Sequence, residues 1–185
     1  MKEIINKVLD YISSNNLKGQ INIGTAVSKK ASFSNGKLEE LSQGERSAAG
    51  ILLMDNDGRI AAANTNQLDQ DSLLEAVKNA AALVKYSQPD NGNIISSDKA
   101  FTFLDWCFDI DTKNLTLDEI TENAKNLETS AKGMDKRIQF VRGSSFETEV
   151  SKRIFANTNG VYKESVSSNA AAEIMLAAVQ GESSS

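Results

Sequence analysis

The run 47–55 (SAAGILLMD), the turn residues Asn56-Asp57-Gly58 and the run 59–65 (RIAAANT) constrain this chain more than any other stretch. Two apolar runs on either side of an Asp-Gly pair predict an antiparallel hairpin whose register is set by the turn. Two further Asn-Gly pairs repeat the signal. Asn35-Gly36 lies between Ala31, Phe33 and Leu38, and Asn159-Gly160 separates strand-like runs at 147–155 and 161–167. Glycine at such points tolerates the positive φ that tight hairpins require. Ile21, Ile23, Thr25 and Val27 alternate with Asn22, Gly24, Ala26 and Ser28, which predicts one more half-buried strand, and RIQFVR at 137–142 another.

Three amphipathic helices complete the pattern. Ile4, Ile5, Val8, Leu9 and Ile12 recur at helical spacing over 2–15, and Leu73, Leu74, Val77, Ala80, Ala81 and Val84 do so over 70–86, ahead of Pro89. Thr116 and Glu119 stand at capping-box spacing before Leu117, Ile120, Ala124, Leu127 and Ala131, and Gly133 closes that run. The predicted fold class is therefore α+β, with helices packed on antiparallel sheets in two lobes. Residues 1–90 form an N-terminal α+β domain, 91–115 a connecting segment, with the polar stretch 90–97 (DNGNIISS) as linker, and 116–185 the start of a middle domain that continues beyond the chain. The aromatic segment 101–111 is expected to dock on the core through Phe101, Phe103, Trp106 and Phe108. The run 169–180 (NAAAEIMLAAVQ) is ambiguous from its residues, because alanine favours helix while continuous apolarity also suits a strand buried on both faces.

Composition narrows the chemistry. There is no histidine among 185 residues, so a Ser-His-Asp triad, a Cys-His dyad and a His-ligated zinc cannot be built from this chain. One cysteine, Cys107, excludes an internal disulfide, and a formal charge of -5 offers no basic field for nucleic acid or anionic lipid. No window approaches the ~18 apolar residues of a membrane span, and the start lacks a signal-peptide core, so the chain reads as cytoplasmic.

Residue chemistry alone assigns no catalytic, cofactor-binding or metal site. Asp105, Asp109 and Asp111 are oxygen donors, but a calcium loop begun at Asp109 would have Asn114 where glycine is needed and Ile120 where glutamate is needed. The acidic group Asp55-Asn56-Asp57-Gly58 is explained by its turn. Cys107, flanked by Trp106 and Phe108, reads as a small buried hydrophobe. Asn114-Leu115-Thr116 is a glycosylation sequon whose Thr116 serves better as a helix cap. Glu45, Arg46 and Arg59 flank the hairpin as solvated strand ends.

Taken in order, several of these segments resemble the TldD/PmbA, or modulator-of-gyrase, family. They are the helix KEIINKVLDYISSNN, the region with Asn35-Gly36 and Glu39, Gly50 before Asp57-Gly58, Tyr86 with Asp90, and the later turn Asn157-Thr158-Asn159-Gly160. The Tyr86-to-Asp90 segment is more similar to the PmbA (TldE) branch. The resemblance implies an N-terminal and middle-domain portion of a metallopeptidase system for peptide maturation and proteolysis, and a strand over 169–180. It also implies homo- or hetero-oligomers with TldD/PmbA-type subunits and a peptide substrate, without nucleic acid or membrane. Zinc is implied only for the catalytic branch, held by a HExxxH motif that maps onto no residue here. This portion is then expected to be non-catalytic, serving subunit assembly or substrate access. The alternative is a free-standing α+β interaction module with no enzymatic role.

Overall fold

The computed structural model describes all residues except Phe103, Gly181, Glu182 and Ser185. Its elements are α1 (Lys2–Ser14), β1 (Lys18–Ser34), β2 (Lys37–Met54), β3 (Ile60–Thr65), α2 (Gln70–Val84), a single 3-10 turn (Asp105–Cys107), α3 (Ile110–Asn114), α4 (Leu117–Met134), β4 (Ile138–Asn157), β5 (Tyr162–Gln180) and β6 (Ser183–Ser184). The strands lie in the order β3-β2-β1-β4-β5-β6. Short turns join β1 to β2 and β4 to β5, so those neighbours run antiparallel. Thr158 N–H donates to the Gly19 carbonyl and Asn35 N–H to the Val141 carbonyl, which makes β1 and β4 antiparallel too. This is the expected α+β class, with helices packed on an antiparallel sheet.

Two compact units are each assembled from three stretches of chain. The first comprises Met1–Thr25, Arg46–Leu104 and Lys152–Val166. Its core forms because α1 and α2 each present one apolar stripe: Ile5, Val8 and Ile12 from α1, and Leu73, Val77 and Ala80 from α2. Alternate sheet residues, Ile21, Ile23, Ile51, Leu53, Ile154 and Ala156, meet them. Each fully buried Ile, Leu or Val of this set contributes about 1.5–3 kcal/mol. Asp69 starts α2, its carboxylate accepting the Ser72 N–H at 2.9 Å.

The second unit comprises Ala26–Glu45, Asp105–Ser151 and Ser167–Ser185. Its small core sets Ile120 and Ala124 of α4 against Ala31 and Phe33 of β1. The capping box forms as expected: Glu119 N–H donates to Thr116 Oγ1 at 3.2 Å and Thr116 N–H to Glu119 Oε2 at 2.8 Å. The helix runs through Gly133 instead of stopping there, and Asp135 follows it, its carboxyl held down to about 2 by hydrogen bonds from Arg137. At the β1–β2 turn, Asn35 (φ 48) and Gly36 (φ 77) both take positive φ, the signature of a two-residue type I′ hairpin loop. Gly36 N–H donates to Oε2 of Glu128 at 2.9 Å, and Lys132 donates to its other oxygen. Glu128 is buried, at 4% exposure. Burial pushes its carboxyl up, but the hydrogen bonds from Lys132 and Gly36 outweigh that and leave it below its ordinary value.

Several sequence expectations change in detail. The strand pieces expected at 21–28 and 31–38 divide between β1 and β2 at the Asn35-Gly36 turn, and those at 137–142 and 147–155 are one strand, β4. β2 begins at Lys37, because pairing with β1 carries strand geometry through polar residues that have no apolar alternation of their own. The run 169–180 is strand, as the family resemblance implied, and continues β5. The β2–β3 loop spans five residues, with Met54 opposite Ile60. It is closed by Asp55, whose Oδ1 accepts N–H groups of both Asp57 and Arg59 at 2.9 Å. The aromatic segment does not dock as expected: Trp106 is 81% exposed and Phe101 51%. Phe108 is only half-buried, and Phe103 lies outside the described residues. Local bonds set this stretch, with Asp105 closing the 3-10 turn and Asp109 capping α3 through Thr112 N–H at 2.7 Å.

Two glycines give a graded test. A Cβ on Gly58 (φ 74) would stand 2.1 Å from the Asp90 carbonyl oxygen, whereas one on Gly36 (φ 77) would meet nothing within 4 Å. Gly58→Ala should therefore lose about 2–4 kcal/mol and Gly36→Ala about 1 kcal/mol, read from urea midpoints. Equal losses would refute the close approach of Asp90. Glu128 adds a pH test. A folded carboxyl pKa below 4.5 stabilises above that pH, and the stabilisation is lost as pH falls through the lowered value. Glu128→Gln should cost about 1–3 kcal/mol at neutral pH, and the difference from wild type should shrink on acidification.

Candidate functional site

The β4–β5 connection is built around a buried carboxamide. Asn157, at 1% exposure, accepts the Asn159 and Val161 N–H groups on Oδ1 at 3.0 and 3.1 Å. Its Nδ2 donates to the Ser96 carbonyl at 2.8 Å, and Asn159 Nδ2 donates to the Ile95 carbonyl at 2.7 Å. Upstream, Asn93 Nδ2 donates to the Gly58 carbonyl at 2.9 Å; downstream, Lys163 Nζ donates to the Ala100 carbonyl at 2.7 Å. The stretch 93–100, whose first half reads from sequence as a polar linker, is thus strapped down by side-chain donors at four places. A strap without regular structure needs such donors, since its carbonyls have no ladder partner.

Next to this strap lies a groove of about 590 Å³. Asn22, Gly24, Ala48 and Gly50 line it, and they alternate with the core residues Ile21, Ile23, Ala49 and Ile51, so they stand on the sheet face turned away from α1 and α2. The floor is low because its residues are small: a Cβ on Gly24 would meet nothing within 4 Å. Phe155, Arg153, Lys163 and the half-exposed Phe101 complete the lining. Glu164, also on the lining, is held below its ordinary carboxyl value first by Lys152 and then by the Tyr162 hydroxyl. Tyr162 is pushed up to about 12 by burial and by the Glu164 carboxylate, so it stays neutral at physiological pH. The groove combines a floor of mostly small residues with the charged side chains of Arg153, Lys163 and Glu164, a surface for binding.

The acidic positions singled out by sequence serve turns and caps. Asp55 closes the hairpin loop and pairs with Arg59 at 3.1 Å, and Asp57 pairs with the same guanidinium. Asp109 caps α3, Asp111 lies in its first turn, and Asp105 opens the 3-10 turn. Cys107 is half-buried in that turn, not enclosed as expected. Asn114 ends α3 and Thr116 caps α4. Glu45 and Arg46 lie within β2 instead of at a strand end. Among the described residues no three of Cys, Asp or Glu converge as a metal-binding group. Sequence reading missed the groove residues. Only the alternation of Asn22 and Gly24 with Ile21 and Ile23 could have placed two of them on a common open face.

Residues 24–84 match the family model described as PmbA/TldA metallopeptidase domain 1, and residues 110–185 match that of the PmbA/TldA metallopeptidase central domain. Fold and matches together define the first and central domains of a metallopeptidase family. The chain belongs to the PmbA/TldD family and corresponds to its N-terminal portion. A metalloprotease PmbA homolog of Haemophilus influenzae is 29% identical over 112 residues, covering 57% of this chain and 24% of that protein. TldE from Thermococcus kodakarensis superimposes with a TM-score of 0.87 at 15% identity, over 98% of this chain and 40% of that one. A Thermotoga maritima protein described as a DNA gyrase modulator gives 0.85 at 18% identity, over 99% and 41%. At such identities the likeness is one of fold, and the chain spans about two fifths of these structures.

Asn157→Ala should cost about 2–4 kcal/mol, because it strands two N–H donors and one carbonyl. Amide exchange at Asn159 and Val161 should accelerate well beyond that at Ile51, in the same unit. Uniform acceleration across the unit would show that the carboxamide has no local role.

Proposed function

We propose that this chain is the non-catalytic N-terminal portion of a PmbA/TldD-type metallopeptidase system. In this reading it frames substrate access and subunit assembly in the cytoplasm while the metal and its ligands come from residues outside these 185. The observation that carries the reading is the pairing of two metallopeptidase-domain matches with a chain that has no histidine. The groove supports it. A floor of Gly24, Ala48 and Gly50 lets an extended peptide backbone approach the sheet closely, and Arg153 and Lys163 suit a peptide carboxylate. We read the chain as PmbA/TldE-like on its 29% identity to the PmbA homolog.

The test is reconstitution. The purified chain alone should cleave no peptide, and mixing it with a HExxxH-bearing member of the family should change the rate or peptide preference of that partner's chelator-sensitive hydrolysis. Chelator-sensitive cleavage by the chain alone would overturn the proposal. No effect on any such partner would favour a free-standing interaction module.

A further inference from the structure

The groove divides along the strand order. Its short side chains sit on the neighbouring strands β2 (Ala48, Gly50) and β1 (Asn22, Gly24), and its long ones on β4 (Arg153, Phe155) and β5 (Lys163). All of these residues belong to the first compact unit. The register of β4 against β5 is fixed by two contacts. Asn157 N–H donates to the Val161 carbonyl at 3.0 Å, and the Ser151 and Ser167 hydroxyls meet at 2.9 Å. Counting from either contact, Phe155 stands opposite Lys163 and Arg153 opposite Ser165. Arg153 and Lys163 are therefore diagonal neighbours on one face, about 7–8 Å apart at the backbone, close enough for two long side chains to reach one group.

Their charge is unmatched inside the groove. Among the described residues Arg153 has no hydrogen bond or ion pair, and it is exposed. Lys163 donates one N–H to the Ala100 carbonyl at 2.7 Å and keeps its remaining donors. Glu164 is on the lining too, but its carboxylate is already engaged by Lys152 at 2.8 Å and by the Tyr162 hydroxyl. The groove thus offers a guanidinium, which matches a carboxylate with two parallel N–H donors, and an ammonium beside it.

We propose that this site captures the free carboxyl end of an extended peptide, with Arg153 as the residue that selects it. The glycines of β1 and β2 let a peptide backbone lie close to the sheet. At β4 such a backbone meets the long side chains of Arg153 and Phe155, so a chain crossing the low half of the groove ends where the cations stand. A terminal carboxylate fits that position, whereas a carboxylate on an internal side chain would require the backbone to continue past it. The inference deepens the reading of the groove as a peptide surface and rests on it.

Fluorescence anisotropy on the full chain decides it. The probe is a peptide Gly-Gly-Ala-Ala-Leu labelled at its N-terminus, its last residue chosen to lie beside Phe155 and Phe101. The free acid should bind roughly fivefold to tenfold more tightly than the same peptide with a C-terminal amide. Arg153→Ala should bind acid and amide alike, and Arg153→Lys should keep part of the difference. An amidated peptide with glutamate in place of the second alanine should bind no better than the plain amide. No binding of the acid, equal binding of acid and amide by wild type, a preference that survives Arg153→Ala, or recovery of affinity by the internal glutamate would each overturn the proposal. If the variants misfold, the wild-type comparison of acid with amide still decides. An effect on the metal-bearing partner without acid preference would overturn this inference alone, and acid preference without that effect would overturn only the proposed role in the peptidase system.

Discussion

The buried carboxamide of Asn157 is the interaction on which the first unit depends. At 1% exposure an unsatisfied amide would cost about 1–3 kcal/mol, so its hydrogen bonds to Asn159, Val161 and Ser96 must form together. Those bonds close the β4–β5 turn and fix the middle of the strap. With the strap fixed, Lys163 can hold the Ala100 carbonyl, and Phe101 is carried to the rim of the groove. The turn thus sets both the strand pairing and the boundary of the candidate binding surface.

The second unit uses a buried carboxylate in a comparable role. Glu128 reaches from α4 to the Gly36 N–H, so a helix is tied to a hairpin turn by one charge-assisted bond, with Lys132 balancing the charge. In both units a tight turn with glycine at positive φ is tied to a segment distant in sequence, through Asn157 to Ser96 in one and through Glu128 to Gly36 in the other. The turns are local, but what anchors them to the rest of the unit is not.

That distinction governs how much could be read from the residues. Helix α1, helix α2 and the capping box of α4 were legible because each is decided within a few positions. The three Asx-Gly turns were legible for the same reason. Strand lengths were not: the polar stretch of β2 becomes strand only because β1 lies beside it. Trp106 was misread because aromatic composition says nothing about which face of a 3-10 turn it will occupy. Glu128 and Asn157 look like solvent-facing polar residues until their partners, 92 and 61 positions away, are known. The groove escaped notice because its floor is made by small residues on separate strands. The ambiguous tail was settled correctly only through family resemblance, since its alanines favour helix and its continuous apolarity suits a buried strand.

Membership of the PmbA/TldD family and the lack of imidazole pull in different directions, and the proposed division of labour reconciles them. These domains would shape a path and an interface while ligands for a hydrolytic metal come from elsewhere. Zinc titration of the purified chain by calorimetry, with metal analysis after gel filtration, tests this most directly. The account predicts no stoichiometric zinc retained. One tightly held zinc per chain would contradict it.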